Sequence, residues 1–230
     1  MLCSDSGSGR AAELAAELGG EAVASNIEVA DRADLVVLCH KPAQLLEVAH
    51  ELAPHAKAVA SVLGATTVSN LMSAYPDRPV FRLMPNTPVE VRRGIVVFAA
   101  APGVDPELEV QVAALFARLG TLVRLSEPLI DAATAVMGVG PAYNALVAEA
   151  QVDAAVRHGL KAPLAAELVT ETMAGTAALM AARGHDTLAV RREVTSPGGS
   201  TARGLRALEQ GGIRAAFQDA IDAVVLGGKQ

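Results

Sequence analysis

Through the first half of the chain, short runs of β-branched and aliphatic residues alternate with apolar residues at helical spacing, the rhythm of a parallel α/β unit. Residues 35–38 (LVVL) read as a buried strand. Pro42 then opens a helix to about residue 52, since proline is tolerated in a first helical turn, where an N–H would lack a partner anyway. Residues 58–62, 80–83, 94–99 and 122–125 read as further strands, with helices over 68–74 and 106–118. Past residue 127 the pattern changes. No strand-like run survives, and alanine-rich helical stretches cover 130–136, 141–158 and 164–183. The expected division is an α/β domain over 1–126 and an all-helical domain over 127–230. Within the helical half, Leu164, Leu168, Thr172 and Thr176 form one line and Val169, Met173, Thr176 and Met180 another. So wide a face of small and apolar residues suits close helix packing, and in so few helices it favours a partner chain over an intramolecular bundle.

Composition narrows the function classes. The chain has 230 residues, 51% of them hydrophobic, enough for a sizeable core in one or two domains. Nineteen basic and 25 acidic residues give a formal net charge of −6 with no long basic run, which argues against nucleic acid and anionic membrane as partners. Cys3 and Cys39 are too few for a disulfide framework or a zinc site, so no metal is expected and a reducing cytoplasm is the expected compartment. Neither a membrane-length apolar stretch nor a charged segment leading into an apolar run is found.

Four segments carry candidate chemistry. In VTSPGGSTARGL, from Val194 to Leu205, Pro197 fixes φ and two glycines allow close backbone approach. Ser200 and Thr201 stand where the N-cap of the following helix is expected, and the free first amides of such a helix favour a carboxylate or phosphate. Cys39-His40-Lys41-Pro42 leaves a strand at its C-terminal end, where α/β sheets bind ligands. Met84-Pro85-Asn86-Thr87-Pro88 forms an extended turn that brings Asn86 to the same crevice. Gly140-Pro141-Ala142-Tyr143 is a glycine-proline entry into the longest helical stretch. Each alone is a common turn.

In this order, over nearly the whole chain from Ser4 to about Val224, the segments resemble the pyrroline-5-carboxylate reductase family. The resemblance implies an incomplete Rossmann-like, doubly wound α/β sheet followed by an all-helical dimerisation domain. It implies reduction of 1-pyrroline-5-carboxylate to L-proline with NADPH, NADH being the alternative, and a homodimer or higher homo-oligomer. By family match the main-chain amides of Gly198, Gly199, Ser200 and Thr201 hold the substrate carboxylate. The Thr201 hydroxyl serves the ring nitrogen as the catalytic contact, and Glu127 matches a ligand-contacting position, its other reading being a helix-start carboxylate. The cofactor wall comprises Ser4, Asn26, Cys39, His40, Lys41, Pro42, Ser61, Met84 and Asn86. Ser4, Ser6 and Arg10 fall where a 2′-phosphate is read.

Several positions depart from the family pattern. His40 replaces a small residue beside the cofactor and is expected to be a harmless substitution; the other four histidines are expected to be solvated. Val62-Leu63 precede Gly64 where relatives have a small residue, and Glu193 stands where relatives can carry an asparagine. Gly7-Ser8-Gly9-Arg10-Ala11-Ala12 fits G-x-G-x-x-A, but the helix behind it carries Arg10, Glu13 and Glu17 on an exposed face, so it is read as a decoy of the dinucleotide fingerprint. Residues 1–4 match the family's second strand instead. The first strand, its glycine-rich turn and its helix, a unit of roughly 30 residues, have no counterpart in this sequence. The expected consequences are a gap in the sheet and weakened dinucleotide affinity. Two alternatives follow: a non-catalytic family member acting as a dimerisation or ligand-binding module, and, more remotely, a relative of the β-hydroxyacid dehydrogenases.

Overall fold

A computed structural model describes residues 1–227; the last three residues of the expected helical domain lie outside them. The chain opens with β1 (Leu2–Cys3), α1 (Arg10–Leu18) and β2 (Glu21–Ala22), and the two strands pair in parallel as a small separate sheet. After α2 (Asn26–Arg32) come β3 (Val36–Leu38), α3 (Leu45–Leu52), β4 (Val59–Ser61), α4 (Val68–Ala74) and β5 (Val80–Pro85). Then follow β6 (Gly94–Ala100), α5 (Pro106–Phe116) and β7 (Gly120–Arg124). The main sheet has the order β3-β4-β5-β6-β7. Among the described residues no strand pairs with the outer edge of β3, so the sheet is divided as expected.

One expectation of direction is corrected. β5 and β6 run antiparallel, with Phe81 opposite Ala100, while the other pairs are parallel. The connection is a single 3-10 turn, Thr87–Val91, far too short for the crossover a parallel pair needs. Alternation along β5 sends Phe81 and Leu83 into one core layer with Phe98, Val112 and Phe116, and Val80 into the other with Tyr75, Leu71 and Ile130. Arg82 is thereby directed into an interior layer and is buried.

Two helices start or end differently from their periodicity. The segment opened by Pro42 begins as a 3-10 turn, Pro42–Gln44, before α3. The helix expected over 130–136 is α6 (Ile130–Ala133) followed by a π-helical turn, Thr134–Gly138. There Thr134 Oγ1 donates back to the Ile130 carbonyl at 2.8 Å, and Asn86 Nδ2 donates to the Met137 carbonyl at 3.0 Å, so side chains compete for the helix's own acceptors.

The chain forms two compact units, Met1–Gly138 and the residues from Val139 onward. Residues 127–138, expected with the helical half, pack in the first. The second unit contains α7 (Gly140–Arg157), α8 (Ala162–Ala182), α9 (Thr187–Glu193), α10 (Ser200–Gln210) and α11 (Ile213–Gly227). Tyr143 of α7 donates its hydroxyl to the Ala220 carbonyl of α11 at 3.4 Å. Little of this unit is buried: α7, α10 and α11 contribute no buried residue and α8 only Ala165, while Leu146, Leu164 and Leu168 are 63%, 46% and 50% exposed. Apolar surface of that extent is the mark of an interaction face. No described helix is long and apolar enough to cross a membrane.

Candidate active site

Register sets Leu38 opposite Ser61 and Ser61 opposite Arg82, so Cys39-His40-Lys41-Pro42 leaves β3 beside Ser61, the last residue of β4, while β5 runs on through Met84. Pro42 stands in the first turn of its 3-10 segment, and Gln44 closes that turn by donating its N–H to the Lys41 carbonyl (2.9 Å) and accepting from the Lys41 N–H (3.3 Å). The Lys41 ammonium makes no ion pair among the described residues. Ser61 is buried, and its Oγ accepts from the Leu63 N–H at 3.2 Å. His40 Nδ1 lies 2.9 Å from the Lys41 carbonyl, and its Nε2 is buried without a partner. Asn86 has both ends of its amide engaged: Oδ1 accepts from the Ile95 N–H at 2.8 Å while Nδ2 holds Met137. It joins β6 to the π-helical turn.

Ser4 and Asn26 are brought together, the Ser4 hydroxyl donating to Asn26 Oδ1 at 2.7 Å. Asn26 Nδ2 in turn donates to Glu51 of α3 at 3.1 Å, which ties the small sheet's surroundings to the helix behind Lys41-Pro42. The neighbouring glycine turn is closed on itself. Asp5 accepts from the N–H groups of Ala11 (2.7 Å), Gly7 (2.7 Å) and Ser8 (3.0 Å), and the Ala11 and Gly7 bonds hold its carboxyl below the ordinary carboxylate range. Three amides of this segment are thus occupied by the chain's own carboxylate.

Glu127 faces inward. Its Oε1 accepts from Arg82 Nη1 at 2.6 Å and from the Val68 N–H, the first of α4, at 3.1 Å; its Oε2 has no partner. Arg82 Nη2 lies 3.8 Å from Asp131 Oδ1. The carboxylate does lie at a helix start, but the helix is α4 and the dominant partner is Arg82. Sequence reasoning gave Arg82 no role, although a lone cation within the apolar run VFRLM was the available signal. Likewise His55 is not simply solvated, since Nδ1 lies 2.8 Å from Asp31, and Glu193 is held by Arg183 at 2.9 Å.

In the second unit, Ser196-Pro197-Gly198-Gly199 forms a tight turn closed by the Gly199 N–H on the Ser196 carbonyl at 3.1 Å, with Gly198 at φ 68°. Proline at the second position and a positive-φ glycine at the third are the requirements of a type II turn. The helix then starts one residue earlier than expected: Gly199 is the N-cap, and neither the Ser200 nor the Thr201 hydroxyl caps. The first intrahelical bond runs from the Arg203 N–H to the Gly199 carbonyl. The amides of Ser200, Thr201 and Ala202 and both hydroxyls therefore have no partner among the described residues, as the first amides of a helix lack intrahelical acceptors.

Comparison with known proteins agrees with these features. Residues 127–230 match the model described as pyrroline-5-carboxylate reductase dimerisation, and residues 1–65 that described as NADP oxidoreductase coenzyme F420-dependent. The pyrroline-5-carboxylate reductase of Synechocystis sp. is 36% identical over 86% of this chain and 75% of its own length. The solved Coxiella burnetii pyrroline-5-carboxylate reductase superposes with a TM-score of 0.91 at 29% identity, covering 99% of this chain and 87% of that one. The Plasmodium falciparum pyrroline carboxylate reductase, solved with NADP bound, gives 0.82 at 28% identity, covering 91% and 81%. The 36% identity with the Synechocystis sp. protein, over three quarters of that relative's length, shows that the chain belongs to the pyrroline-5-carboxylate reductase family.

Proposed function

We propose that this chain is an NADPH-dependent oxidoreductase that reduces 1-pyrroline-5-carboxylate to L-proline, the last step of proline biosynthesis. The observation that carries the reading is the SPGGST loop, whose three amides and two hydroxyls at the start of α10 have no partner among the described residues. A small carboxylate needs that donor set. The strand-end residues fit a dinucleotide, since Lys41 follows β3 at the C-terminal end of the parallel strands and its ammonium makes no ion pair among the described residues. When bound, the nicotinamide supplies the hydride that reduces the C=N carbon.

The chain's own residues have the tasks of binding, orienting and protonating. Gly198, Gly199, Ser200 and Thr201 hold the substrate carboxylate against the N-terminus of α10. The Thr201 hydroxyl hydrogen-bonds the ring nitrogen and favours its protonated, more electrophilic form. Glu127, the remaining residue of the substrate wall, is held in place by Arg82 and the Val68 amide through Oε1. Ser4, Asn26, Cys39, His40, Lys41, Pro42, Ser61, Met84 and Asn86 form the cofactor wall. We assign the cofactor to residues 1–126 and substrate binding with dimerisation to residues 127–230. The chain forms a homo-oligomer, and the exposed face of α7 and α8 supports a dimer as its unit. Two unbridged cysteines support a reducing cytoplasm.

The test follows loss of NADPH absorbance. The wild-type chain should consume NADPH only when 1-pyrroline-5-carboxylate is added. Thr201→Ala should lower kcat by about 10²-fold, with the Kd for NADPH within about twofold of wild type. Loss of NADPH binding in this variant would refute the role given to Thr201. Wild-type protein that binds NADPH yet shows no turnover would leave the dimerisation or ligand-binding module as the correct reading.

A further inference from the structure

The turn before α10 is built from residues with little shape of their own. Gly198 sits at φ 68° and Gly199 is extended, and a glycine pair reaches many other combinations at little cost. The Gly199 N–H donates to the Ser196 carbonyl, which holds one side of the peptide between the two glycines. Arg203 holds the other side. Its Nη1 donates to the Gly198 carbonyl at 2.9 Å and its backbone N–H to the Gly199 carbonyl at 3.2 Å, so two consecutive carbonyls of the turn end on one residue. Side chains of a helix lean toward its N-terminus, which lets a long one near the helix start overhang the segment before it. Among the described residues no other side chain bonds to the main chain of residues 196–201. Nor does the Arg203 guanidinium make an ion pair among them, although the chain carries 25 acidic residues.

A ligand that takes up the first amides of α10 binds best when the turn leading into them is already in place, because a loop ordered only on binding weakens the affinity by the freedom it loses. We infer that Arg203 is a positioning residue for the substrate. It touches no reacting atom; through the Gly198 carbonyl it keeps the double-glycine turn in the shape that presents the Ser200 and Thr201 amides before substrate arrives. This rests on the assignment of residues 198–201 to the substrate carboxylate above. Position 203 lies beyond the TSPGGST run that carries the family resemblance.

The experiment measures NADPH oxidation at varied 1-pyrroline-5-carboxylate with the full chain, Arg203→Met and Arg203→Lys, at about 0.05 M and about 0.5 M NaCl. Arg203→Met keeps a helix-forming side chain of similar length and deletes the donor. Its KM should rise about fivefold, the worth of one hydrogen bond, with kcat and the Kd for NADPH within about twofold of wild type. Inhibition by L-proline, which carries the same carboxylate, should weaken by the same factor. Arg203→Lys, whose Nζ still donates to a carbonyl, should recover most of the loss. The ratio of the KM values should persist at the higher salt, because a direct contact is screened far less than attraction across solvent. Arg203 is exposed, so both variants should melt with wild type. An unchanged KM in Arg203→Met, a fall in kcat alone, or a lowered melting temperature with both constants impaired overturns the inference. So does convergence of the KM values at the higher salt, which assigns the effect to long-range charge. Wild-type protein without turnover overturns the functional reading and this inference together, so the two failures are distinguishable.

Discussion

Removing the carboxylate of Glu127 tests whether a buried cation depends on one partner. The Arg82 side chain is 4% exposed, and its closest acceptor is Glu127 Oε1 at 2.6 Å. The alternative, Asp131, is 3.8 Å away and 78% exposed, so it is largely screened by water. Breaking a fully buried pair costs about 3–5 kcal/mol, since the surviving charge is left uncompensated. Glu127 is 33% exposed, which admits solvent and lowers the figure. Glu127→Ala, which also strips the Val68 amide of its acceptor, should cost about 2–3 kcal/mol. Glu127→Gln keeps a neutral acceptor for both donors and should cost about 1–2 kcal/mol. For a chain of this length that corresponds to a fall in Tm of roughly 2–12 °C across the pair. Urea denaturation followed by circular dichroism gives the free energies. The decisive variant is the double replacement Arg82→Met with Glu127→Leu, which removes both charges and should recover to within about 1 kcal/mol of wild type. If Glu127→Gln costs less than about 0.5 kcal/mol, or the double replacement is no better than Glu127→Ala, the dependence of Arg82 on this partner is refuted.

Three further outcomes follow from the same packing. Tyr75 is fully buried, its hydroxyl has no partner, and burial pushes the phenol from 10.0 up to about 12. Tyr75→Phe should stabilise by about 1 kcal/mol. Because the folded value is raised, wild type should lose stability as pH rises from 10.0 toward about 12, and the phenylalanine variant should lack that slope in chemical denaturation. Gly120 has φ 145°, and a Cβ there would stand 2.6 Å from the Gly94 nitrogen across the β6–β7 pair. Gly120→Ala should therefore cost roughly 3 kcal/mol, and an unchanged Tm would contradict the close approach. Asp5 is held below the ordinary carboxylate value, so its contribution is present above that value and fades as pH falls through the lowered one. Hydrogen exchange should find the amides of Ala11, Gly7 and Ser8 protected at mildly acidic pH and released only at lower pH; release at pH 5 would contradict their bonds to Asp5.

Legibility followed sequence distance. The helix expected over 68–74 is α4 as observed, because Thr67 caps it locally, its Oγ1 accepting from the Asn70 N–H at 3.1 Å. The helix α2 had a comparable signal, with Ser25 accepting from Glu28, but it is short and flanked by strands of two and three residues, so periodicity alone did not single it out. The turn at Ser196–Gly199 followed from proline and glycine in adjacent positions, although the helix start fell one residue early. That shift matters chemically, since it leaves the Ser200 and Thr201 hydroxyls free.

By itself the sequence determined the α/β half, the helical half, the strand-end Lys41-Pro42 turn and the proline-glycine turn that leads into α10. Each is written in contacts within a few residues, where backbone preference and side-chain periodicity suffice. Only the tertiary structure decided the antiparallel return of β6, the pairing of Arg82 with Glu127 45 residues away, the hold of Asn86 on Met137 51 residues away, and the enclosure of His40 Nε2. Those depend on which side chains strand register and helix packing bring together. Local preference does not encode which polar groups lose access to water, and it is that loss which makes the buried arginine depend on its carboxylate.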